Sequence, residues 1–118
     1  MKVDEIQKKL RPVLKTGKAH WALLFGSWAR GTQTRHSDID LLIVTDTNKR
    51  WLHRDQEYAD IYSLFPGQGV DLLIYTPEEL EDIAHRPFIQ RILQEGKMVY
   101  ESGETGERSI SLVRDRQE

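Results

Sequence analysis

The spacing of apolar residues along the chain separates predicted helices from predicted strands. Between residues 3 and 14, apolar side chains recur at every third or fourth position among lysines and acids, which predicts an amphipathic first helix despite Pro12. Short continuous apolar runs elsewhere are typical of buried strands. These runs are residues 20–25, 39–44, 70–75 and, more briefly, 98–100.

Three more helices are predicted between and after the strands. Residues 51–64 carry aromatic and aliphatic side chains at helical intervals and stop before a Pro-Gly pair. Residues 76–84 begin with threonine, proline and two glutamates, the residue types of a helix N-terminus. Residues 87–95 form a further predicted helix, in which Phe88 is expected to face inward with the aliphatic residues.

The order of these elements predicts an α/β fold with a small mixed β-sheet and helices packed mainly on one face. Residues 1–101 contain all of the predicted elements and form one predicted domain. Residues 102–118 contain glycines and mixed charges with few apolar side chains, so we expect a flexible C-terminal tail.

Length and charge restrict the functional classes. A chain of 118 residues makes one domain, too small for a catalytic domain plus a separate acceptor-binding domain. Seventeen basic and 19 acidic side chains give a net charge of −2 without a dense basic run, so polymerisation on a nucleic acid is not expected. The sequence has no cysteine, no apolar run of the roughly 20 residues that span a membrane, and no signal-peptide pattern. We therefore predict a cytoplasmic protein without disulfides or membrane contact.

A glycine-serine turn follows the first predicted strand. Gly26 and Ser27 come directly after the run 21–25, where bare backbone amides and a hydroxyl can approach an anion closely. A short helix after the turn would direct its free N–H groups at the same anion, and Arg30 offers a guanidinium suited to phosphate oxygens. The segment predicts a phosphate-binding turn.

Three aspartates precede or begin the next two predicted strands. Asp38 and Asp40 are two residues apart at the start of the second strand, so their carboxylates project from one face. If the third strand lies beside the second in register, Asp71 lies next to Asp40. Neighbouring carboxylates repel unless a cation lies between them, and magnesium prefers such oxygen ligands. The pattern predicts a metal site for phosphoryl or nucleotidyl transfer.

With these motifs, the sequence resembles the DNA polymerase beta-like nucleotidyltransferases, and among them the minimal nucleotidyltransferases, which include the antitoxins of HEPN-MNT pairs. The matching residues are Gly26-Ser27, Ala29-Arg30-Gly31, Ser37-Asp38-Ile39-Asp40-Leu41 and Asp71, and the resemblance extends over roughly residues 2–100. Both spaced motifs and the third acid are present, and this combination is specific where either motif alone is not.

The resemblance implies a role for each matching residue. It implies that Gly26, Ser27 and Arg30 bind the nucleotide, and that Asp38, Asp40 and Asp71 are catalytic and hold two Mg²⁺ ions. The implied reaction moves AMP from ATP to a hydroxyl of an acceptor. The implied partner is a helical protein of the HEPN type, which would supply the acceptor that this short chain has no second domain to bind.

Simpler interpretations also fit some of these residues. Taken alone, Gly26-Ser27 fits an ordinary turn, and Asp38 and Asp40 fit the common use of aspartate in loops. Two other functions also stay open: a non-catalytic module that binds nucleotide or partner, and a small-molecule nucleotidyltransferase acting as a homodimer. Three carboxylates that are buried together without a use are costly, which argues against the non-catalytic module.

Overall fold

The computed structural model describes residues 1–103 and Gly106, which form a four-stranded sheet with helices on both faces. The helices are α1 (Val3–Thr16), α2 (Ser27–Arg30), a 3₁₀ helix (Trp51–Tyr58), α3 (Asp60–Leu64), α4 (Pro77–Ile83) and α5 (Pro87–Glu95). The strands are β1 (Trp21–Phe25), β2 (Ile39–Val44), β3 (Val70–Tyr75) and β4 (Lys97–Glu101). The predicted α/β fold and its mixed sheet are confirmed.

The sheet has the strand order β3-β2-β1-β4. Strand β1 pairs antiparallel with both β2 and β4, whereas β2 and β3 are parallel. Strands β2 and β3 therefore begin at the same end of the sheet, and β1 finishes there. The segments that carry the candidate motifs meet at this end.

Helices cover both faces of the sheet, so the prediction that they pack mainly on one face is wrong. Helices α1 and α3 pack on one face around Leu10 and Ile61, and α4 and α5 pack on the other around Leu80 and Ile92. The physical reason lies in the central strands. Their apolar runs are continuous rather than alternating, so both faces of β1 and β2 carry side chains that must be removed from water.

The segment 51–64 was predicted as one helix but folds as a 3₁₀ helix followed by the short α3. Trp51 stacks on Tyr75, which packs with the core of the α4/α5 face, with ring centroids 4.8 Å apart. Tyr58 and Ile61 are buried in the core of the opposite face. The segment must therefore wrap around the edge of β3, which a single straight helix cannot do.

Local sequence explains the start of α4. The Thr76 hydroxyl accepts a hydrogen bond from the Glu79 N–H, and the Glu79 carboxylate accepts one from the Thr76 N–H, which is a capping box. Of the predicted tail, the structure describes Ser102, Gly103 and Gly106, and the rest lies outside the described residues. Within the described part of the chain, no helix is both long and apolar enough to cross a membrane.

Candidate active site

Strand pairing brings the two sequence motifs together. Asp40 is the register partner of Phe25 on β1 and of Asp71 on β3, so it lies between the glycine-serine turn and the third acid. Leu42 and Leu73, which follow these two aspartates by two residues, belong to the core of the α4/α5 face. Side chains two apart share a face, so Asp40 and Asp71 both project toward the side of the sheet that carries α5.

Asp40 and Asp71 interact directly. Burial raises the pKa of Asp40 to about 6, with further contributions from a hydrogen bond to Asp71 and from the negative charges of Asp71 and Asp38. The nearby positive charge of Arg30 opposes this rise in pKa. Two carboxylates in contact share a proton or bind a cation, because two negative charges side by side repel each other. The predicted side-by-side placement of these two acids is confirmed.

Asp38 adds its negative charge to the surroundings of Asp40. Its carboxylate covers Gly69, the residue before β3, so closely that a Cβ on Gly69 would meet Asp38 Oδ1. Among the described residues, no three His, Cys, Asp or Glu side chains are arranged closely enough to hold a metal ion. The donor set still has the right chemistry, because all three candidates are carboxylates. Burial is the main cause of the raised pKa of Asp40, and the charges of Asp71 and Asp38, which a cation would neutralise, add to it.

Gly26 forms the turn between β1 and α2 with φ 73° and ψ −151°, a backbone conformation open to glycine. A Cβ at this position would also collide with Asp40 Oδ2. Glycine is therefore required twice, for the turn and for the close approach of the carboxylate. Ser27 begins α2, a single turn whose Ala29 and Arg30 N–H groups bond to the Gly26 carbonyl, each at 3.1 Å.

A cleft of about 230 Å³ opens beside this turn. Its lining includes Phe25, Gly26, Arg30, Asp40, Phe88 and Arg91. Arg30 and Arg91 both approach Glu95, with nitrogen to oxygen distances of 3.5 and 3.3 Å. The cleft therefore presents Arg30 together with Asp40 beside the bare backbone of the turn, a combination suited to a metal-bound polyphosphate.

Helix α5 borders the cleft with side chains for which the sequence favoured other positions, burial for Phe88 and a solvated helix face for Arg91. Phe88 was predicted to face inward, but its side chain is 58% exposed and meets Phe25 edge-on, with ring centroids 6.3 Å apart. Arg91 and Glu95 lie one turn apart on the same helix face. The apolar pattern of α5 indicates which residues are buried, but it does not indicate which exposed residues border a cleft.

Comparison with known proteins agrees with this geometry. The sequence model of the family described as "Polymerase beta, Nucleotidyltransferase" matches residues 8–105, most of the chain. The Methanocaldococcus jannaschii protein named "Putative protein adenylyltransferase MJ1379" is 32% identical over 97 residues, 79% of this chain and 89% of its own length. Its relative MJ0604, with the same description, is 30% identical and is covered over 90% of its length. The match to MJ1305 is 34% identical and spans only 56% of that protein's length.

Solved structures share the fold at lower identity. A toxin-antitoxin crystal structure with AMP-PNP has a TM-score of 0.65 at 20% identity, over 93% of this chain and 85% of the other. An MNT antitoxin in complex with a tri-AMPylated Shewanella oneidensis HEPN toxin gives 0.57 at 16% identity, over 94% and 82%. A nucleotidyltransferase of Sulfolobus solfataricus, described as putative, gives 0.55 at 18% identity, over 84% and 83%. The family match and the fold together show that this chain belongs to the polymerase beta nucleotidyltransferase family.

Proposed function

We propose that this chain transfers a nucleoside monophosphate, AMP from ATP, to a hydroxyl group on a partner protein in the cytoplasm. The observation that carries the proposal is the register pairing of Asp40 with Asp71 beside the Gly26 turn. The acceptor oxygen attacks the α-phosphorus, the bond from that phosphorus to the bridging oxygen breaks, and pyrophosphate leaves. The acceptor hydroxyl loses its proton, and the product is a phosphodiester.

Asp38, Asp40 and Asp71 would hold Mg²⁺, two ions in the form we propose. When bound, Mg²⁺ neutralises the phosphate charge and lowers the pKa of the attacking hydroxyl. Residues of the chain would accommodate the phosphates and stabilise their charge. Gly26 leaves room for the Asp40 carboxylate and for a phosphate beside it, because it has no side chain. Arg30 places a positive charge near Asp40, where the charge on the leaving phosphates would develop.

The cleft between the Gly26 turn and α5 is the proposed nucleotide site, with Ser27 and Arg30 on the triphosphate. Phe88, exposed at its edge, offers an aromatic face for the base. ATP is the proposed substrate because relatives are named protein adenylyltransferases and a structure with this fold holds AMP-PNP.

A helical protein of the HEPN type is the proposed acceptor. A neighbour of the same fold is an MNT antitoxin in complex with a tri-AMPylated HEPN toxin, which supports this choice of partner.

Two radiolabels test the reaction. The chain is incubated with Mg²⁺ and either α-³²P-ATP or γ-³²P-ATP, with any protein that co-purifies from its host as acceptor. We expect the α-label in a protein band and the γ-label in pyrophosphate. Asp40→Asn should abolish labelling, and Asp46→Asn, at the opposite end of β2, should not. Transfer of the γ-label would indicate a kinase, and partner binding without any label would favour a non-catalytic module.

A further inference from the structure

A second depression, which we call the edge groove, lies on the other side of the carboxylate pair. It has a volume of about 300 Å³, and its lining includes Trp51, Leu52, Asp55, Tyr62, Asp71 and Leu72. Asp71 belongs to this groove, whereas its neighbour Asp40 lines the nucleotide cleft. The two depressions therefore meet at the hydrogen-bonded pair Asp40 and Asp71.

This placement matters for the proposed transfer. The attacking and leaving oxygens must be roughly in line through the phosphorus, so acceptor and leaving group approach from opposite sides. With the triphosphate at the Gly26 turn on the β1 side of Asp40, the acceptor is expected on the β3 side. The edge groove occupies that side.

Apolar side chains are exposed around the edge groove. Trp51 is 45% exposed, Leu52 83% and Tyr62 41%, and together they make up three of the five exposed large apolar residues in the described chain. A cluster of this kind on a small domain marks a contact surface.

The outer edge of β3 borders the edge groove, and residues 51–64 wrap around only part of it, so some of its backbone groups have no partner among the described residues. The Gly69 carbonyl accepts a hydrogen bond from the Ile39 N–H at 2.9 Å, and the Tyr75 carbonyl accepts one from the Thr45 N–H at 3.0 Å. The backbone groups of the residues between them alternate in direction, so those of residues 70, 72 and 74 point away from β2, to the outer edge of the sheet. Arg54 bonds the outward carbonyl of Ile74 at 3.1 Å. The peptide group of Leu72 lies in the part of this edge that Arg54 does not reach.

The charge of the edge groove is negative. Its lining includes two acidic residues, Asp55 and Asp71. Among the described residues, the one basic residue in the lining is Arg54, whose guanidinium is already paired with Glu79 at 2.6 and 2.9 Å. Without Mg²⁺, for which Asp71 is a proposed ligand, this lining favours a basic ligand, and with Mg²⁺ bound Asp55 keeps that preference.

We propose that the edge groove binds the acceptor as an extended polypeptide segment, whose hydroxyl-bearing residue is flanked by apolar and basic side chains. The segment pairs with the free edge of β3 at Leu72, places apolar side chains against Trp51 and Leu52, and brings its hydroxyl to Asp71. Strand addition accounts for the exposed peptide groups, and the acidic lining accounts for the preference for basic flanks. The inference rests on the proposed function, since it names where the acceptor binds.

Two short synthetic peptides test the edge groove. Each contains one tyrosine, flanked by leucine and lysine in one peptide and by leucine and glutamate in the other. Fluorescence anisotropy measures binding to the chain without nucleotide, and α-³²P-ATP with Mg²⁺ then measures transfer. We expect the lysine peptide to bind at least about tenfold more tightly than the glutamate peptide.

Three variants separate the edge groove from other surfaces. Leu52→Glu should weaken binding of the lysine peptide about tenfold, and Asp55→Lys should shift the preference toward the glutamate peptide. Asp82→Lys makes the same charge change at an exposed site on α4 outside the groove lining and should change neither. In the transfer assay, the two groove variants should raise KM for the lysine peptide with an unchanged Kd for ATP.

The two failures are distinguishable. Binding that follows these variants without any transfer would contradict the proposed reaction and leave the edge groove intact. Transfer that is insensitive to Leu52→Glu and Asp55→Lys, or equal binding of the two peptides, would overturn the edge groove. Leu52 is 83% exposed, so loss of folding is not expected in its variant, and circular dichroism checks this directly.

Discussion

The ion pair that fixes the rim of the edge groove gives a quantitative prediction. Arg54 is only 7% exposed and donates to both Glu79 oxygens, at 2.6 and 2.9 Å, and to the backbone oxygens of Ile74 and Lys49. Its hydrogen bond lowers the pKa of Glu79 to about 2, outweighing the opposing effect of burial. The perturbation is Glu79→Gln, which keeps a side chain able to cap Thr76 but removes the charge.

The magnitude follows from the change in pKa. A fall from 4.5 to about 2 corresponds to about 3 kcal/mol in an unscreened site. The Glu79 side chain is 45% exposed, so solvent screening reduces the contribution to about 1–2 kcal/mol. Glu79→Gln should therefore lower the free energy of unfolding by about 1–2 kcal/mol at pH 7, a fall in Tm of about 4–8 °C.

The lowered pKa of Glu79 determines how its stabilisation of the fold changes with pH. A carboxyl group whose pKa is lowered by folding stabilises the fold fully above its unfolded pKa and loses this contribution as pH falls through the folded pKa. The difference between native chain and Glu79→Gln should therefore be largest above pH 4.5 and shrink toward pH 2. Comparison of the two chains at each pH cancels the titration of all other groups.

Urea unfolding followed by circular dichroism at several pH values measures this difference. Glu78→Gln is the matched control, since Glu78 is exposed in the same first turn of α4, and it should cost little. The two variants must lose different amounts of free energy of unfolding, and the loss in Glu79→Gln must shrink between pH 7 and pH 3. Any other result would contradict stabilisation by the Arg54–Glu79 ion pair.

Three further predictions concern the site itself. In EDTA, Asp40→Asn should raise the free energy of unfolding by about 1–2 kcal/mol, because burial and the charge of Asp71 disfavour the Asp40 carboxylate. When Mg²⁺ is added, a thermal melt should show that it stabilises the native chain more than the variant. Gly26→Ala should cost more stability than Gly31→Ala and should reduce transfer at least about 100-fold. Both glycines have a positive φ, but only at Gly26 would an added Cβ meet Asp40. Urea unfolding and the labelling assay compare the two variants. Phe88→Ala should raise KM for ATP about tenfold with little change in Tm, because its ring is 58% exposed at the cleft, and an unchanged KM would remove it from the nucleotide site.

The placement of Asp40 beside Asp71 could be predicted from the sequence because strand register follows from the apolar pattern. Two apolar runs each begin with an acid at the same offset, and parallel pairing of such runs places Asp40 beside Asp71, as the structure has it. The turn at Gly26 was predicted because glycine follows a buried strand directly, and its positive φ confirms that the turn needs glycine.

Features that depend on tertiary packing could not be predicted from the sequence. The wrapping of residues 51–64 around the sheet edge depends on Trp51 reaching Tyr75 on one face while Ile61 is buried on the other. The exposure of Phe88 and the position of Arg91 at the cleft depend on how α5 packs against β1. Helical periodicity does not distinguish an exposed ring at a cleft from one at a core boundary.

The most direct test of the central claim is the intact mass of a co-purified partner protein after incubation with ATP and Mg²⁺. We expect the native chain to add AMP to the partner, and the Asp40→Asn and Asp71→Asn variants to bind the same partner but add nothing. An unchanged partner mass with the native chain, or the same added mass with Asp40→Asn, would contradict nucleotidyl transfer by this pair of carboxylates.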